Sequence, residues 1–144
     1  MLTTLIAVLG TLAGVAITSA YQAHTIRTTR KEARRAEAQT AIETLMAALA
    51  DHRRAMWVRE DLRLRGKDWT QARAESHVTR SAITAPLTRV QILLPAAATA
   101  AQNAAQAVYD LRNADNTTAL TEARDNAIRA AAELATAGGV VLAA

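Results

Sequence analysis

The chain is 144 residues long, carries a formal net charge of +4, and contains no cysteine and no phenylalanine. Lacking cysteine, it has no disulfide, no thiol nucleophile and no cysteine metal site. Alanine supplies a quarter of the residues, a composition suited to close helix–helix contact and unsuited to a thick aromatic core.

The first element is residues 2–21, LTTLIAVLGTLAGVAITSAY, which holds no charged side chain; the first is Arg27. About twenty helical residues at ~1.5 Å each match the ~30 Å hydrocarbon layer of a bilayer. The polar side chains are mainly Thr and Ser, whose hydroxyls can bond back to carbonyls one turn earlier. The stretch is expected to be a transmembrane helix. A strip of small residues, Ala7, Gly10, Gly14 and Thr18, would let two such helices approach closely.

Residues 22–37 form a basic juxtamembrane segment. Arg27, Arg30, Lys31, Arg34 and Arg35 all follow the apolar run, where they would contact anionic lipid. Basic flanks stay inside, so the N-terminus is expected outside the cell membrane and the rest in the cytoplasm. A cleaved signal peptide, with Thr18-Ser19-Ala20 as the site, fits less well because its positive charge should precede the apolar run.

No proline or glycine interrupts residues 15–65, so one helix should run from the membrane to Leu64 and stop at Gly66. Its second half has an apolar seam at three- and four-residue steps: Ala38, Ile42, Leu45, Leu49, His52 and Met56. Such a face is made for association with other helices. Asp68 should cap a second helix starting near Trp69, with Ala72, Ser76, Thr79, Ile83, Leu87, Val90 and Leu94 along its seam. Pro86 should kink or break it. Pro95 should open a third helix with Ala98, Ala101, Ala105, Val108 and Leu111 inward. After a turn at Asn113–Asn116, a fourth helix with Leu120, Ala123, Ala127, Ala131 and Leu134 inward should end at Gly138-Gly139. Nothing alternates with period two, so no sheet is expected. The division is then a transmembrane helix (2–21), the basic segment (22–37), a cytoplasmic helical domain (38–137) and a short apolar tail (138–144).

Chemistry is sparse. No His-x-x-x-His pair exists, and no Glu precedes a His at helical metal-site spacing. His52, lying on the seam, reads as a partly exposed or hydrogen-bonded structural histidine rather than a buried titrating group. Glu60 and Asp61, between Arg59 and Arg63, read as a solvated charged face. Trp57 and Trp69 bracket the first inter-helix turn as packing residues. No catalytic, metal or cofactor residue is expected, and the chain is expected not to be an enzyme.

The opening MLTTLIAVLGTLAGVAIT, the helix TRKEARRAEAQTA, the segment DHRRAMW and the later TRVQILLP together resemble the KilB-like proteins of actinomycete conjugative plasmids and integrated elements. The resemblance spans residues 1–95 and rests on composition rather than catalytic motifs. It implies an accessory role in plasmid transfer and spread at the membrane, and it carries over no catalytic residue. The expected fold is all-α: a transmembrane helix continuing into a long cytoplasmic helix that packs with three others as a hairpin or bundle. The expected partners are the lipid bilayer, other copies of the chain and other proteins of the transfer apparatus. Alternatives are a holin-like, membrane-perturbing protein and a membrane-tethered DNA-binding module, although the basic stretch is short for nucleic acid.

Overall fold

The structure, a computed structural model, describes the backbone from Leu2 to Ala143 and the side chains from Thr25 to Ala143. Four α-helices follow one another: α1 (Leu2–Leu64), α2 (Thr70–Leu93), α3 (Ala98–Tyr109) and α4 (Thr117–Ala143). A 3-10 turn, Pro95–Ala97, joins α2 to α3. No strand occurs among the described residues. The chain divides into two compact units, Met1–Ala36 and Glu37–Ala144.

Among the described residues no helix is long and apolar enough to cross a membrane. The side chains of the span expected at 2–21 lie outside the described ones, and so do those of Ala7, Gly10, Gly14 and Thr18. In the first unit the described cationic side chains, Arg27, Arg30, Lys31, Arg34 and Arg35, are all exposed.

The second unit holds the core. Ala38, Ile42, Leu45, Leu49 and Met56 are buried in it, with Leu45 fully sealed. The association face of α1 is therefore covered within one chain, by the other helices of its own unit. α1 and α2 run antiparallel: Glu37 at one end pairs with Arg89 at 2.9 Å, and His52 meets Thr79 further along. α4 also runs antiparallel to α1, from Arg124 over the Trp57 ring to Gly138 against Ile42. α3 packs on both α2 and α4. Ile83, Val90, Val108, Leu111, Leu120 and Leu134 fill the space between. Ala101, Ala104, Ala105 and Ala107 let α3 approach its neighbours closely.

The turns have local causes. Gly66 takes φ +65°, and Lys67 N–H donates to Leu62 O while Gly66 N–H donates to Arg63 O. This is a Schellman termination, which glycine makes free of Cβ strain. Asp68, two residues before the first residue of α2, accepts from Thr70 N–H at 2.9 Å, while Trp69 takes the N-cap position. That hydrogen bond holds its exposed carboxyl below the usual carboxylate range. Asn113 takes φ 63°, and Asn116 accepts from Ala119 N–H at 2.9 Å to cap α4.

Of the kink or break expected at Pro86, the break does not occur: α2 runs through it, and the carbonyl that loses its partner belongs to exposed Ala82, where water can take the bond. Nor does Gly138-Gly139 end α4, which continues to Ala143. Gly138 is buried against Ile42 and neither glycine has positive φ, so the pair serves close packing and the supposed tail forms part of the helix. Val141 and Leu142 lie partly buried on the core.

Candidate functional site

The seam of α1 changes character beyond Leu49. At the same three- and four-residue steps come His52, Met56, Arg59, Glu60 and Arg63. Opposite, the first half of α2 offers Ser76 and Thr79. The two polar stretches meet. His52 is 1% exposed, Glu60 0% and Ser76 2%, so this end of the unit has a polar interior.

His52 Nδ1 and Thr79 Oγ1 are hydrogen-bonded at 2.9 Å, and the ring meets Tyr109 edge-on with centroids 5.6 Å apart. Burial, then the charges of Arg80 and Arg59, lower the imidazole pKa from 6.5 to about 4. It is therefore neutral at physiological pH. Arg59 donates to Ser76 Oγ at 3.3 Å, and Ser76 in turn donates to Arg73 O at 2.7 Å. Glu60 stands between two guanidinium groups, with Arg59 Nε 3.4 Å from Oε1 and Arg63 Nε 2.6 Å from Oε2. Arg63 also donates to the Ala114 carbonyl, tying α1 to the α3–α4 turn. Arg59 Nε and Glu60 Oε1 have no hydrogen-bond partner.

This overturns the reading of Glu60 and Arg59 as a solvated face; they are core. Asp61 is half-buried and pairs with Arg65 at 2.9 Å. Aromatic rings back the cluster. Arg59 and Arg73 lie over the Trp69 ring at 5.4 and 5.5 Å, and Arg80 over Tyr109 at 4.4 Å. Burial pushes the Arg59 guanidinium below its ordinary range; Glu60 opposes this, and Arg112, Arg73 and Arg63 add to it.

On a different face, Ala50, Arg53, Arg54, Trp57 and Arg124 line an open cleft of about 320 Å³. Among the described residues, no three His, Asp or Glu side chains are grouped to hold a metal. His52 faces a hydroxyl and an aromatic edge, and the buried carboxylate is committed to two arginines. The arrangement orients helices and concentrates positive charge.

Residues 40–142 match the family model described as KilB plasmid transfer protein. The chain belongs to the KilB family. It is 60% identical over 134 residues to the protein KilB of Streptomyces lividans, with 91% of each chain covered. No solved structure matches it. The KilB match begins three residues into the second compact unit and contains the polar end whole, from His52 to Ala114. The family membership expected from the sequence is thus shown, and with it a role connected with plasmids in Streptomyces relatives.

Proposed function

We propose that this KilB-family chain is a non-enzymatic, single-pass membrane component of plasmid transfer. Residues 2–21 anchor it with the N-terminus outside, and the helical unit from Glu37 onward works in the cytoplasm by docking other copies or other transfer proteins. The observation that carries the reading is charge asymmetry. No Asp, Glu, Lys or Arg precedes Arg27, and the exposed cations Arg27, Arg30, Lys31, Arg34 and Arg35 all follow the apolar run. That order retains the basic side in the cytoplasm and sets it against anionic lipid.

The chain's lack of cysteine makes the test direct. A single cysteine replacing exposed Glu133 is introduced into the full-length protein in intact cells. It should stay unlabelled by a membrane-impermeant maleimide and react after lysis. The protein should also remain with membranes through alkaline carbonate extraction, and a chain lacking residues 2–21 should not. Labelling in intact cells overturns the topology; extraction of the full chain overturns the anchor.

A further inference from the structure

The polar end of the helical unit carries more positive charge than its structure uses. Arg59 and Arg63 of α1 flank one buried carboxylate, Glu60; Arg73 of α2 and Arg112 after α3 lie close enough to Arg59 to bear on its charge, and Arg80 of α2 bears with Arg59 on His52. Of the acids close in sequence, Asp61 pairs with Arg65, Asp110 accepts from Gln106 and Asp68 accepts from Thr70 N–H; Glu75 and Asp115 are exposed and form no ion pair among the described residues. Arg73, Arg80 and Arg112 are exposed, and among the described residues none of the three is ion-paired to a carboxylate. Arg59 is 7% exposed and is already answered by Glu60, whose Oε1 lies 3.4 Å from its Nε. Gathering like charges in this way costs stability unless an anion answers them.

The chemistry of that anion can be narrowed. A phosphodiester carries its charge on two non-bridging oxygens, as a carboxylate does, and each can take a guanidinium fork. What sets nucleic acid apart is a regular run of such groups along one backbone, which suits arginines arriving from several elements. Arg73 and Arg80 are two helical turns apart, about 10 Å along α2, so one small ion cannot serve both and a repeating chain of phosphates can. The Trp69 and Tyr109 rings already lie under guanidinium groups. They hold the arginines in place and are poorly available for stacking on bases.

We propose that this arginine-rich end of the unit binds the phosphodiester backbone of nucleic acid, without reading base sequence. The site lies wholly in the helical unit and does not depend on residues 2–21 entering a bilayer.

The test uses the full-length protein in mild detergent and labelled DNA of about 20 nucleotides, single-stranded and duplex, with anisotropy measured across salt concentrations. Arg73→Ala/Arg80→Ala/Arg112→Ala should weaken binding at least tenfold and flatten the log–log salt slope by about 2 to 3, since each phosphate contact contributes about 0.7–0.9. The charge-matched triple Arg34→Ala/Arg54→Ala/Arg129→Ala should lose less than threefold. Equal losses for the two triples, or no loss for the first, overturn the site. Polyglutamate of the same charge competing as well as DNA would assign the surface to an acidic protein and overturn the phosphate reading. Should the first triple fail to fold, the wild-type protein decides: DNA must raise its melting temperature beyond chloride at equal ionic strength, and no rise overturns the proposal.

Discussion

His52 and Thr79 face each other across the α1–α2 interface, ring nitrogen to hydroxyl at 2.9 Å, where each helix would otherwise present an apolar side chain. The pairing fixes how the two helices slide against one another, because a shift of one turn leaves a buried ring nitrogen facing nothing. Thr79→Val should therefore cost about 1–3 kcal/mol in urea unfolding at neutral pH. Thr79→Ser, which keeps the hydroxyl, should cost much less.

The same histidine predicts an acid sensitivity. Its pKa is lowered from 6.5 to about 4, by burial first and then by Arg80 and Arg59. Between those values the unfolded chain binds a proton that the folded chain refuses. Its contribution to stability is full above pH 6.5 and is lost as pH falls towards 4, by about 3 kcal/mol in all. Unfolding free energies measured across that window should slope upward with pH, and His52→Leu should flatten the slope. An unchanged slope would mean that His52 titrates normally in the fold.

Glu60 is the counter-charge of the polar end. Glu60→Ala leaves Arg59 and Arg63 buried or half-buried without it, at a cost of about 3–5 kcal/mol. Arg59→Met placed in the same chain should recover a substantial part, since it removes the stranded charge. A denaturation series on the two single variants and the double measures this; strict additivity would show that the residues do not act together.

Two adjacent glycines should respond oppositely. A Cβ on Gly138 would overlap the tip of Ile42, whereas one on Gly139 meets nothing within 4 Å. Gly139→Ala should stabilise α4 by about 0.5–1 kcal/mol. Gly138→Leu should cost about 1–3 kcal/mol by overpacking, and Ile42→Ala in the same chain should relieve part of that. Melting temperatures of the variants give the answer.

The α1 seam supplies a plain control on the core. Leu45 is 0% exposed, while the Arg54 side chain is 78% exposed. Leu45→Asp should cost several kcal/mol; Arg54→Asp should stay within about 0.5 kcal/mol of the parent. Comparable melting of the two would show that the seam is not core.

Much of this fold is written in residue spacing. The seam from Ala38 to Met56, the stop at Gly66, the turn at Asn113–Asn116 and the four-helix count all follow from periodicity and from residues with one strong local preference. The polar end was harder to read because Arg59, Glu60 and Arg63 are residue types that normally stay in water. Their burial depends on partners distant in the chain, such as Ser76 and the Ala114 carbonyl. A signal was nevertheless present. Stepping on from Met56 by three and four lands on Arg59, Glu60 and Arg63, while the matching stretch of α2 turns polar at Ser76 and Thr79. Gly138-Gly139 misled for the opposite reason: a glycine pair at a helix end suggests termination, and only the position of Ile42 reveals its use as a packing surface.

That contact also has a kinetic side. Ile42 and Gly138 lie near opposite ends of the unit's chain, and closing a loop of about 100 residues carries an entropic cost of about 4 kcal/mol. The turns joining α1 to α2 and α3 to α4 are short, so those pairs can form before the circuit closes. The last turns of α4 should dock late, and with little side-chain volume at the junction they should be the first to let go. Backbone amides from Gly138 to Ala143 should then exchange with deuterium well before those around Leu120 and Ala127, so that the unit opens from its final turns while its middle still holds.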